Sequence, residues 1–167
     1  MADTKIEYPL ASIIDIKKKR VEQAEKNLRQ KEEALRKEED ILKEKEAQRD
    51  KVKQHAEDKL TQLRQELDKG TSTDKIMQAK VYLKLCQEKV VVEEKKVAEQ
   101  KEQVELAKKN VEVAKKELEQ RRQEVDKLLT HRKDWIKEKM KELEIEETRE
   151  QDELGSLIFN ARKRRGY

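Results

Sequence analysis

Two histidines, one cysteine and many carboxylates are the side chains here that could support catalysis or hold a metal. His55 and His131 lie far apart in the chain, and Cys86 stands alone. None of G-x-x-x-x-G-K-S/T, G-x-G-x-x-G or H-E-x-x-H occurs, so the chain carries no recognisable phosphate cradle or zinc-protease helix. The 38 acidic residues are so widely spread that no carboxylate pair stands out for acid–base work. Gly70 reads as a helix cap, His55 as a solvent-exposed side chain and Cys86 as a small buried hydrophobe. No catalytic, cofactor-binding or metal-binding residue is expected, and the chain reads as a non-enzyme. What remains is the chemistry of contact, made by charge clusters and apolar faces.

Basic residues collect at Lys17, Lys18, Lys19 and Arg20, at Arg121 and Arg122, and at Arg162, Lys163, Arg164 and Arg165; Glu142 to Glu153 is strongly acidic. Each run is either a solvated helical surface or, taken together, a basic collar offered to an acidic protein partner. A net charge of +4 is too weak to argue for nucleic acid, and RNA binding by the basic tail is the less favoured reading because no stacking platform accompanies it. Apolar side chains gather in the same C-terminal region: Trp135, Ile136, Met140, Leu143, Leu154, Leu157, Ile158 and Phe159. A second apolar face runs through Met77, Val81 and Leu85, with Tyr82 beside it. It either buries against Leu60, Leu63 and Leu67 or docks a partner.

Long helices must position these groups. Charged residues make up 48% of the 167 and apolar ones 34%, with three glycines and one proline. That composition excludes an ordinary compact core, and the balance of 42 basic against 38 acidic residues excludes simple disorder. Stepping by seven from Ile14 meets Val21, Leu28, Leu35, Leu42, Arg49, Ala56 and Leu63. Stepping by seven from Ile76 meets Leu83, Val90, Val97, Val104, Val111, Leu118 and Val125. A seven-residue repeat held this long specifies helices supercoiled on each other.

Between the stripes, Gly70 suits a left-handed C-cap, and Thr71, Ser72 or Thr73 an N-cap ahead of Asp74. One turn implies an all-α antiparallel coiled-coil hairpin, a single elongated domain over 1–167. Its helix 1 covers about 9–69, its turn 70–72 and its longer helix 2 about 73–163. At 1.5 Å per residue the helices reach roughly 90 Å and roughly 135 Å. The stripes align when opposing residue numbers sum to 139 or 146, which brackets the turn. Helix 2 then outruns helix 1 beyond about Trp135, leaving its apolar residues for an intermolecular partner. The second core position of helix 1 (Ala24, Lys31, Glu38, Lys45, Val52) is thin, which favours a monomer over a four-helix bundle.

No apolar run exceeds three residues, so no membrane-spanning helix or stable membrane insertion is expected. The polar stretch before Pro9 has no signal-peptide core. A lone cysteine suits a reducing cytosol.

Tyr8-Pro9-Leu10-x-x-Ile13-x-x-Ile16-Lys17-Lys18-x-Arg20-Val21-x-x-Ala24-Glu25-Lys26 resembles the opening of the type III secretion stalk family that includes YscO and chlamydial CdsO. Leu67-Asp68-x-Gly70-Thr71 and Glu150-Gln151-Asp152-Glu153-Leu154-Gly155-x-Leu157-x-Phe159-x-Ala161-Arg162 are similar to its chlamydial members. FliJ of flagellar export is a more distant likeness. The resemblance implies a cytoplasmic protein, peripheral to the inner-membrane secretion apparatus and without a cofactor. Such a protein binds the hexameric secretion ATPase, promotes its activity and links it to the export gate and secretion chaperones. On position, Lys17, Lys18, Arg20, Arg121, Arg122, Leu154, Leu157, Ile158, Phe159, Arg162, Lys163 and Arg164 become ATPase-contact candidates. Met77, Val81, Tyr82 and Leu85 become gate or chaperone candidates. The competing reading is a structural coiled-coil tether without an ATPase.

Overall fold

The structure, a computed structural model, describes residues 6–166; the first five residues of the polar N-terminal stretch, and Tyr167, lie outside the described residues. Two helices account for nearly all of them: α1 (Ala11–Lys69, 59 residues) and α2 (Thr73–Arg165, 93 residues). They form an antiparallel coiled-coil hairpin in which α2 is the longer. The single proline precedes α1, so nothing in either helix removes a ladder hydrogen bond.

Gly70 ends α1 at φ 71°. A side chain is disfavoured there by its own backbone, which is why glycine occupies the position. Of the three candidate N-caps for α2, Ser72 takes the place: its carbonyl accepts from the Ile76 amide at 3.2 Å. Asp74 follows in the first turn, where the helix dipole favours an anion.

Helix α1 starts two residues later than the sequence suggested. Pro9 and Leu10 form a turn closed by the Ala11 amide on the Tyr8 carbonyl at 3.1 Å, with proline in its favoured second position. This turn bears on what covers α2, as described below.

The chain divides into two compact units, one of residues up to Ala24 with Leu118 onward, the other Glu25–Glu117. In the second unit the α2 stripe is buried at Leu83, Val97, Val104 and Val111, against Ala56, Leu63 and the half-buried Leu28, Leu35 and Leu42 of α1. The neighbouring seam position on α2 carries Cys86, Ala107 and Ala114, all buried and all small. Small residues there leave room for the half-buried stems of Glu38 and Lys45 on α1.

That seam position also holds the one buried polar residue among those described, Gln100, 5% exposed. Its side-chain amide donates to the Glu38 backbone carbonyl at 3.0 Å and to the Glu38 carboxylate. Its oxygen accepts from Lys45 at 3.4 Å. Gln100 thus lies between two α1 residues one heptad apart. Periodicity gave no hint of this polar layer, which breaks the apolar repeat and ties the two helices to one register.

In the other unit Ile14, Ala24, Leu118 and Val125 are buried, and so is Tyr8 at 6% exposure. The Tyr8 ring meets Trp135 edge-on, with centroids 5.5 Å apart, and its hydroxyl shares a hydrogen bond with His131 Nδ1. This corrects the sequence reading of Trp135 as an unpartnered residue. The Tyr8-Pro9 turn carries an aromatic side chain past the end of α1 to Trp135, which is half-buried, as is Ile136. Beyond Ile136 the exposed large apolar side chains of α2 are Met140, Ile145, Leu154, Leu157, Ile158 and Phe159.

Candidate contact surfaces

In the unit that holds both chain ends, the basic candidates are not equivalent. Lys17 Nζ donates to Glu124 Oε2 at 2.8 Å, and Arg121 approaches the same oxygen at 3.6 Å from one turn earlier on α2. Lys17 of α1 and Arg121 of α2 are therefore bridged by a carboxylate that the sequence reading did not single out. The i, i+3 spacing of Arg121 and Glu124 was the available signal, but many such pairs occur in this chain. The Lys17 hydrogen bond, and then the charges of Lys17 and Arg121, hold the Glu124 carboxyl below its ordinary range, against an opposing effect of burial.

Lys17 is half-buried by this arrangement, whereas Lys18, Arg20 and Arg122 face outward. Arg162, Lys163, Arg164 and Arg165 fill the exposed last turn of α2, where cations favour the dipole. Leu154, Leu157, Ile158 and Phe159 are all exposed, but they do not form one patch. At about 100° per residue, Leu154, Leu157 and Ile158 share a face and Phe159 falls well to its side. Phe159 instead lines a shallow groove with Gln151, Asp152, Gly155, Ser156 and Asn160.

In the unit with the turn, Met77, Val81 and Leu85 are 62%, 64% and 50% exposed. The alternative in which they bury against Leu60, Leu63 and Leu67 does not occur: Leu63 is buried in the seam and Leu67 is itself exposed. Leu85 edges an open groove with Val52, Val92 and the stems of Gln48, Glu88 and Lys89. Tyr82 differs from its neighbours in being engaged. Its hydroxyl bonds His55 Nε2 at 3.0 Å, the two rings meet edge-on, and the Lys59 ammonium lies 5.6 Å from the ring centre. The Tyr82 phenol is raised above its ordinary range, chiefly by its electrostatic interaction with Cys86, with desolvation and a hydrogen bond to Cys86 adding to the shift.

Among the described residues no group of His, Cys, Asp and Glu converges as a metal site, and no helix is long and apolar enough to cross a membrane. The surfaces can hold a protein by apolar anchors ringed with charge.

Comparison with known proteins agrees with the resemblance in the sequence. A family model described as YscO-like protein matches residues 5–165. The solved structure of a protein described as a YscO homolog from Chlamydia trachomatis superimposes with a TM-score of 0.91. It is 43% identical over 95% of this chain and 98% of its own. No curated protein matches the chain.

Proposed function

This chain belongs to the YscO-like family of type III secretion stalk proteins, and we propose that it is the central stalk of a hexameric secretion ATPase. In this reading it works without catalysis or a cofactor. One copy seats in the ring, promotes its activity and links it to the export gate and to secretion chaperones, at the cytoplasmic side of the inner membrane. The observation that carries the reading is the uncovered C-terminal part of α2. Leu154, Leu157, Ile158 and Phe159 stand in water beside Arg162, Lys163 and Arg164, in the unit that also presents Lys18, Arg20 and Arg122.

Each buried Leu or Phe contributes about 1.5–3 kcal/mol, so the apolar anchors supply most of the affinity. Basic groups set the encounter rate and its sensitivity to salt. Lys17 and Arg121 contribute less, because both are already drawn to Glu124. A single stalk cannot satisfy six identical sites together. Exposed charge contacts of about 0–1 kcal/mol each let it pass between them without a deep trap.

Met77, Val81 and Leu85 form the gate or chaperone surface in this proposal, with Tyr82 held at its edge by His55. The test compares a truncation after Glu153 with Met77→Ala/Tyr82→Ala/Leu85→Ala. We expect the truncated chain to lose ATPase stimulation while the triple variant stimulates normally and fails to bind the gate. Full stimulation by the truncated chain with loss in the triple variant would assign ATPase contact to the turn end of the hairpin and not to the C-terminal part of α2. No stimulation by the wild-type chain would favour the structural tether.

A further inference from the structure

The exposed face of α2 through Leu154 and Ile158 is self-complementary in its order of charge and apolar residues. At about 100° per residue, Glu147, Glu150, Leu154, Ile158 and Arg165 fall on one stripe, with Leu157 and Arg162 at its borders. All seven are exposed. Read along the helix, the face runs from acidic through apolar to basic.

We propose that this face pairs two copies of the chain in an antiparallel, two-fold contact level with residue 156. In that crossing Leu154 meets the second copy's Ile158 and Glu147 meets its Arg165, while Glu150 and the second copy's Arg162 stand at the same level on the two flanks of the contact. The two-fold axis makes every contact twice. A parallel pairing would instead set Glu147 against Glu147 and Arg165 against Arg165. A uniformly acidic partner would be repelled by the first part of the face, and a uniformly basic one by the last. The occupant that fits carries both signs in reverse order about an apolar centre, and a second copy of the same helix does so.

The paired segment, 147–165, is roughly 28 Å long. Three large apolar residues per copy fall well short of a permanent dimer, whose interfaces reach about 2,000 Å² or more. The contact is accordingly reversible and concentration-dependent. It covers Leu154, Leu157 and Ile158, so an ATPase ring that uses them competes with the second copy. The pairing itself does not rest on the ATPase reading. The hairpin seam stays within each chain, so its thinness bears on a different surface.

The test is sedimentation of the full chain over a concentration series into the high micromolar range. It uses Glu147→Lys/Glu150→Lys, Arg162→Glu/Arg165→Glu and an equimolar mixture of the two. We expect reversible dimerisation of the wild type, weakened by salt, and about a tenfold or greater weakening in each double variant alone, since each end of the face then meets like charge. We expect the mixture to recover association, because the charges again oppose. Circular dichroism should show equal helicity throughout. A wild type that remains monomeric, double variants that associate normally, or a mixture that fails to recover would each overturn the proposal. ATPase stimulation plays no part in this readout, so the two proposals fail separately.

Discussion

Val104 and Glu102 are two residues apart on α2 and differ in what a substitution can do. Val104 is buried mid-stripe and Glu102 faces solvent. A carboxylate at 104 must be desolvated or force the helices apart, so Val104→Asp is expected to cost about 3 kcal/mol or more, and Glu102→Ala less than about 0.5 kcal/mol. Thermal melts followed by circular dichroism check both. Glu124 sets a pH dependence. Its carboxyl is depressed in the folded chain, chiefly by the Lys17 hydrogen bond. The unfolded chain therefore binds the proton at higher pH. The resulting stabilisation is complete above the ordinary carboxylate range and is lost as pH falls through the depressed value. Glu124→Gln should accordingly show a smaller drop in Tm between neutral and acid pH than the wild type.

The ends of the helices carry information that their middles repeat. Gly70 adopts a positive φ, yet a Cβ built there meets nothing within 4 Å. The cost of Gly70→Ala is then purely that of backbone conformation, about 1–2 kcal/mol, and Gly70→Asn should cost less. Comparing the two Tm values tests whether the turn limits stability. At the other end of α1, the Tyr8-Pro9 turn does what the helix itself cannot. It returns an aromatic ring to α2 at Trp135 and His131 after the helical seam has ended. The heptad repeat of α1 has no term for this, because Tyr8 lies outside the helix.

Over the whole molecule, burial is uneven. Side chains from Val97 to Val125 supply most of the buried stripe of α2, whereas 144–166 are exposed throughout. Opening free energies follow local packing. In dilute solution, amide hydrogen exchange should be slowest around 97–125 and close to unprotected over about 150–165. Protection of the latter segment at high concentration would report the pairing of copies. The contrast has a functional sense. The covered part of α2 is rigid by packing, and the uncovered part keeps its apolar groups available to a partner.

The hairpin was legible from the chain alone because its causes are local and repeated. One apolar residue every seven is enough to specify a seam, and a glycine flanked by capping residues between the two stripes is enough to mark where the chain reverses. The exposed Met77, Val81 and Leu85 were legible as a face, but whether that face was buried depended on how far the seam widens near the turn. The pairings were not legible. Glu124 is one of 38 acidic residues. It is distinguished only because packing brings Lys17 of α1 to 2.8 Å from it, next to Arg121. Gln100 occupies a core position that the pattern would assign to a small apolar residue, and it is tolerated because Glu38 and Lys45 reach its amide from the facing helix. Periodicity records which side of a helix leaves water. Which polar groups then come within hydrogen-bonding distance is set by the packed backbones, and only the tertiary structure decided that.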